Sequence, residues 1–211
     1  SPHAELVIVT YNCSDGGNPA GWGSDPACFG VIRILDGTTC AQLETIDDPA
    51  NRIVAASPPT IGDIDGDGTP EIVTHRAVVG TVAFGWDNLQ KKYTTKWVAL
   101  DSGLGMSTRW DGPSLHDLDD DGVAEVITCG EVFDGLTGAR LNPGQSVPGV
   151  TGGGPAGRLT LVGDLDVDGV ADLVGAGVWS WNIANDAWEM SYPGDPDGAS
   201  HYGFADFGTP G

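Results

Sequence analysis

Short runs rich in Val, Ile and Leu recur along the chain, separated by turns of glycine, proline, asparagine and aspartate. Runs this short, bounded by turn residues and enriched in β-branched side chains, are strands rather than helices. Residues 5–10 read as a strand, 31–35 and 42–46 as a hairpin about Asp36-Gly37, and 57–62 as a strand that enters an acidic loop. Strands at 71–74, 82–86 and 96–100 follow, the last two joined by a polar turn that holds Lys91 and Lys92. The order of strand, acidic loop, strand and hairpin then repeats. Its second copy has strands at 113–116 and 125–129 and a hairpin turn over 132–138. Its third has 159–163, 172–175, 178–181 and 188–191, the last pair about Asn185-Asp186. Four short strands per unit of about fifty residues predict an all-β repeat fold, with each unit a propeller blade.

The acidic loops carry the chemistry. Residues 63–71 place acids at positions one, three, five and nine (Asp63, Asp65, Asp67, Glu71) and glycine at six, Gly68. Residues 117–125 repeat this with Asp117, Asp119, Asp121 and Glu125, and residues 164–172 with Asp164, Asp166, Asp168 and Asp172. Clustered carboxylates repel unless a cation sits among them, and an all-oxygen donor set suits Ca²⁺, which takes about six to eight oxygens. An EF-hand loop closes instead with glutamate at position twelve, between helices. Here position twelve is Thr74, Thr128 or Gly175, and the ninth-position acid opens a strand. Thrombospondin-type calcium loops follow one another closely, whereas these begin 54 and 47 residues apart.

With 211 residues and 40% hydrophobic content, the chain suits one domain, residues 1–211. A net charge of −21, nine basic side chains against thirty acidic ones, excludes nucleic acid and anionic membrane as partners. Thirteen of the thirty acids lie in the three loops, so bound cations account for much of that charge. There is no run of about eighteen apolar residues to cross a bilayer. Nor does the N-terminus read as a signal peptide, so the chain is expected to be a mature or excised piece.

The loop Asp-x-Asp-x-Asp-Gly-x-x-Asp/Glu, set between a glycine-containing strand and a Val/Ile-rich strand, resembles the FG-GAP (VCBS-type) repeat. That repeat forms the blades of integrin α-subunit propellers and of bacterial surface proteins. The resemblance implies a β-propeller of about four such blades, with calcium in the turn between the first two strands and a role in adhesion rather than catalysis. It implies about three Ca²⁺ ions on the acids named above, completed by the backbone carbonyls of Thr69, Val123 and Val170. The blades are expected at about 57–111, 112–157 and 158–201, with a composite of 202–211 and 1–56 that lacks metal. In that composite, Asp206 stands near the first-aspartate position, Gly208-Thr209-Pro210 echoes Gly68-Thr69-Pro70, and Glu5 matches Glu125. Closing the ring would pair residues 202–206 with 5–10. Such propellers usually have seven blades, so the alternative is part of a larger ring or tandem array.

Four cysteines allow three pairings. Cys13 with Cys28 is preferred, because they bracket a glycine-rich insertion at 12–30. Cys40 with Cys129 follows by elimination, and buried thiols are the alternative. Asn12-Cys13-Ser14 is a glycosylation sequon on an expected surface loop. His75, His116 and His201 lie near strand ends, but there is no Gly-x-Ser-x-Gly elbow and no His-Glu-x-x-His motif, so no enzyme is expected. Gly152-Gly153-Gly154-Pro155-Ala156-Gly157-Arg158 mimics a phosphate loop, yet a strand follows it and arginine replaces lysine. Most of the seven tryptophans are expected to pack between blades. Trp22 and Trp110, in glycine-rich stretches, are candidates for stacking on sugar rings. The expected function is a calcium-stabilised extracellular or cell-surface scaffold or adhesion module that binds a protein or copies of itself. A lectin-like carbohydrate binder is the alternative.

Overall fold

The computed structural model describes residues 4–13, 28–77, 79–100, 112–145, 147, 161–175 and 177–193. Among these residues the protein is all-β, with fourteen strands in four antiparallel sheets. Sheet one holds β1 (Glu5–Cys13), β2 (Cys28–Asp36) and β3 (Gln42–Ile46). Sheet two holds β4 (Thr60–Gly62), β5 (Glu71–His75), β6 (Thr81–Asp87) and β7 (Lys92–Ala99). Sheet three holds β8 (Ser114–His116), β9 (Glu125–Thr128) and β10 (Glu131–Phe133). Sheet four holds β11 (Leu161–Gly163), β12 (Asp172–Val174), β13 (Gly177–Asn182) and β14 (Ala187–Pro193). Strands follow sequence order within each sheet, as sequential hairpins dictate.

Pairing registers show that the sheets are copies of one unit. Ile72 faces Phe84, Val126 faces Phe133 and Leu173 faces Trp179, each one residue past the ninth-position acid of its loop. In sheet one Leu6 faces Leu35 in the same relation, which places Glu5 where the other sheets carry Glu71, Glu125 and Asp172. A β-bulge falls at the equivalent point in three sheets: between Ile34 and Leu35, Ala83 and Phe84, and Val178 and Trp179. The extra residue on the outer strand is Leu43, Lys96 or Ser191. Close approach repeats too. A Cβ on Gly37 would strike the Ala4 carbonyl, and one on Gly135 would strike the Ala124 carbonyl, so glycine is required at both.

The hairpin between the third and fourth positions is also one device used four times. Asp36, Asp87, Asp134 and Asn182 each accept backbone N–H bonds through Oδ1, from Thr38 and Thr39, Leu89 and Gln90, Thr137, and Ala184. The residue four places later has positive φ: Cys40, Lys91, Gly138 and Asp186. The short polar side chain folds the turn upon itself, which is what Asp and Asn do in such turns. In sheet three the fourth position is reduced to the bridge between Phe133 and Arg140 and the bond from Leu141 N–H to the Val132 carbonyl.

Three apolar clusters lie between successive sheets. Ile32, Ile34, Ile46, Ile72, Val82 and Phe84 join sheets one and two. Ile64, Val73, Ala83, Trp97, Val126 and Phe133 join two and three, and Ile127, Val132, Leu173, Trp181 and Trp188 join three and four. Sheets two and three are thus buried on both faces, with Ile72 and Val73 sending adjacent side chains in opposite directions. The first strands β4, β8 and β11 contact one another in turn. Polar clamps add to the stack: the Trp97 indole donates to the Gly135 carbonyl at 2.7 Å and the Tyr93 N–H to Glu44 Oε1 at 2.8 Å.

Several expectations need correction. The strand read at 57–62 starts only at Thr60, because Pro58 and Pro59 cannot donate to a ladder. Val132 and Phe133, read as the start of a turn, lie in the strand β10. Cys129, read as a strand residue, sits with Gly130 in a two-residue turn, φ 53° and 79°, between β9 and β10. Cys40 and Cys129 are not joined: both are thiols, Cys40 exposed at the sheet-one hairpin and Cys129 buried in sheet three, with sheet two between. Asn12, expected on a loop, lies in β1 opposite Phe29, and Cys13 lies opposite Cys28. The side chains of Asn12, Cys13 and Cys28 fall outside the described set, as do Trp22, Trp110, His201, residues 152–158 and the expected pairing of 202–206 with 5–10.

Candidate metal centres

Each acidic loop connects the first two described strands of sheets two, three and four, and a common wiring shapes all three. The first-position carboxylate ties the loop together. Asp63, Asp117 and Asp164 accept the fifth-position N–H through Oδ1 at 3.2, 3.1 and 3.1 Å, and the sixth-position N–H through Oδ2 at 2.8, 2.9 and 3.0 Å. These bonds hold the Asp63 carboxyl below its ordinary pKa, the Gly68 N–H contributing most. Gly68, Gly122 and Gly169 at position six have φ of 84°, 91° and 88°, a backbone suited to glycine. Position four is left-handed as well, in Gly66, Asp120 and Val167.

The ninth-position acid is the buried anchor. Glu71, Glu125 and Asp172 are 1%, 5% and 4% exposed, and each accepts the second-position N–H of its loop, from Ile64 at 3.1 Å, Leu118 at 2.7 Å and Leu165 at 3.1 Å. Carboxylate oxygens of positions one, three and nine come within 4.8 Å of one another in every loop: Asp63, Asp65 and Glu71; Asp117, Asp119 and Glu125; Asp164, Asp166 and Asp172. The fifth-position acids lie outside these groups. Asp67, Asp121 and Asp168 each accept the seventh-position N–H, from Thr69, Val123 and Val170, at 2.7, 2.7 and 2.8 Å.

Crowding of acids has an electrostatic cost. Burial first, then Asp119, Asp117 and Asp121, push the Glu125 carboxyl up to about 7. Burial also raises Glu71, Asp119 and Asp166. A hard divalent cation among these oxygens would reverse the penalty, and the donor set, oxygen without sulfur or imidazole, fits calcium chemistry.

Two residues at these loops had no signal in the sequence. Lys96, the bulge residue of β7, forms ion pairs with Asp65 and, at 3.6 Å, with Glu71 Oε1. At the third loop, Ser180 Oγ donates to Asp172 Oδ1 at 2.6 Å. Neither falls within the repeated motif, so only the sheet register brings them to the loops. The histidines lie elsewhere in the wiring: His75 is buried with Thr81 Oγ1 at 3.5 Å and Thr128 Oγ1 at 3.4 Å, and His116 pairs with Glu125 across β8 and β9.

No family model matches the sequence, and no curated protein matches it. Two solved structures are similar in fold. Rhamnogalacturonan lyase YesW aligns with a TM-score of 0.59 and 17% identity over 90% of this chain and 38% of its own. The V. cholerae biofilm matrix protein Bap1 aligns with a TM-score of 0.52 and 19% identity over 88% of this chain and 30% of its own. The chain thus spans little more than a third of the lyase's length and less than a third of Bap1's.

Proposed function

We propose that the protein is a calcium-stabilised extracellular scaffold or adhesion module, built as about four FG-GAP-like propeller blades, that binds a protein partner or further copies of itself. The observation that carries this is the threefold recurrence of one loop geometry, with carboxylates of positions one, three and nine gathered within 4.8 Å. The contacts of β4 with β8 and of β8 with β11 support a radial arrangement in which each sheet is a blade. In this reading the blades span about 57–111, 112–157 and 158–201, with 202–211 and 1–56 making the fourth.

The residues that would hold calcium are the acids of positions one, three, five and nine, with the carbonyls of Thr69, Val123 and Val170. Bound there, the ion would neutralise charge and fix the loops, a structural role that calls for no catalysis. His75, enclosed by threonines, is read as a packing residue. Among the described residues no helix is long and apolar enough to cross a membrane. A carbohydrate-binding reading draws on the lyase and biofilm-matrix neighbours, with Trp22 and Trp110 as its stacking residues.

Calorimetric titration of the chelator-stripped protein should give about three calcium ions per chain. Each site held at 100 times its Kd adds about 2.7 kcal/mol to folding, so excess chelator should lower Tm by many degrees. A melting curve indifferent to chelator would overturn the structural role of calcium.

A further inference from the structure

A cavity of about 570 Å³ lies between sheets one and two, within the size range of small-molecule sites. Its apolar part includes Val7, Ile34 and Ile72, which belong to the cluster joining the two sheets or pack against it. Its charged and aromatic groups are polarised. Glu5 and Glu44 come from sheet one, while Trp86, Lys91, Lys92 and Tyr93 come from the β6–β7 hairpin of sheet two.

The aromatic pair is held in place. Trp86 and Tyr93 meet edge to face with centroids 5.6 Å apart. The Tyr93 hydroxyl donates to the Pro70 carbonyl at 3.2 Å, and its N–H to Glu44 Oε1 at 2.8 Å. Trp181 and Trp188 are the equivalent pair in sheet four, since each pair stands next to the last ladder pair before its turn, Asp87 with Lys92 or Asn182 with Ala187. There the indoles are 5% and 2% exposed in a filled core, whereas Trp86 is 36% exposed. An indole left open beside a cavity offers a flat apolar platform, which suits the C–H face of a sugar ring.

The lysines answer no need of the turn. The same register puts Asp186 and Ala187 in sheet four where sheet two carries Lys91 and Lys92, and Asp186 shares the left-handed backbone of Lys91, φ 48° against 55°. The chain has three lysines, at 91, 92 and 96, and Lys96 is taken by Asp65 and Glu71. Consecutive strand residues point to opposite faces, but Lys91 is out of the extended conformation and both neighbours border the same cavity. Lys92 faces Asp87 across the ladder, yet that carboxylate is occupied by the N–H groups of Leu89 and Gln90 and by the Gln90 side chain. A net charge of −21 repels anions at long range, but the screening length at physiological salt is about 8 Å, so the charges lining the cavity decide what it takes.

We propose that this cavity is a binding site for acidic sugars, in which a uronic acid ring stacks on Trp86, its carboxylate meets Lys91 and Lys92, and its hydroxyls donate to Glu5 and Glu44. This rests on the carbohydrate-binding reading, but places the site at Trp86 instead of Trp22 and Trp110. The two walls suit the two ends of such a ligand: ammonium groups on sheet two for the carboxylate, carboxylates on sheet one for the hydroxyl donors.

Titration calorimetry at saturating calcium tests the site with galacturonic and glucuronic acid as monosaccharides and as short oligomers, each beside its neutral hexose counterpart. The acidic probes should bind with Kd at or below about 1 mM and at least about fivefold tighter than the neutral ones. Trp86→Ala should weaken both at least about fivefold. The double variant Lys91→Gln with Lys92→Gln should abolish the acidic preference and, since both side chains are exposed, leave Tm unchanged. Affinity that grows with oligomer length assigns the site to a polysaccharide, and equal affinity for the monosaccharide assigns it to a free acid or a chain end. An acidic preference that survives the lysine double variant belongs to bound calcium or another surface and overturns the site. Binding that survives Trp86→Ala but is lost in Trp22→Ala or Trp110→Ala also overturns it, while the carbohydrate-binding reading stands. If no saccharide binds, both fall.

Discussion

Lys96 places an ammonium group beside two acids of the first loop, whereas the equivalent bulge residue in sheet four is Ser191. A tethered cation competes with a free one. Lys96→Met should therefore raise calcium affinity at the first loop about fivefold, on the order of 1 kcal/mol for a partly exposed charge, and should lower the Tm of the chelated protein. Titration calorimetry reads the first effect and thermal melting the second. At the second loop the sign is set by Glu125, whose carboxyl is raised from 4.5 to about 7. In the metal-free protein its proton is held more tightly folded than unfolded, so stability should fall as pH rises from about 4.5 to about 7 and level off above. Chelated melts across that range should show the decline, and Glu125→Gln should flatten it. The acids of positions one, three and nine were legible in the sequence because spacing alone brings them together. Lys96 and Ser180 were not, because their approach depends on a pairing register between distant strands.

At the scale of the element, the third loop carries a strain the first avoids. Val167 stands at position four with φ 61° and is 86% exposed, in a conformation costly for a β-branched residue with no packing to offset it. Gly66 takes the same place in the first loop. Val167→Gly should therefore stabilise the protein by about 1 kcal/mol, read as an upward shift of the denaturation midpoint with calcium held constant. Most strands could be read from β-branched runs, since such residues fit a pleated sheet buried on both faces. The boundaries were harder. Pro58 and Pro59 delay β4, and Cys129 takes a left-handed turn position for which its residue type gives no signal.

Across the whole molecule, stability resides in the interfaces between sheets, so the bonds that cross them carry weight. The Trp97 indole in sheet two donates to the Gly135 carbonyl in sheet three from a ring that is 7% exposed. Trp97→Phe keeps most of the apolar volume but leaves that carbonyl without its donor, and should cost about 1 to 2 kcal/mol in chemical denaturation. The sequence announced four repeating units but not how they stack. The elimination that joined Cys40 to Cys129 failed for that reason, since it took no account of the sheet between them.

The bulge at Lys96 also changes the parity of β7. Tyr93 packs toward sheet one, yet Trp97 and Ala99, of the same odd numbering, pack toward sheet three, and Val98 turns back toward sheet one. One inserted residue acts as a phase slip in the alternation, letting a single strand serve two interfaces with opposite halves. Excising that residue would restore a regular rhythm, and would turn half of the strand inside out.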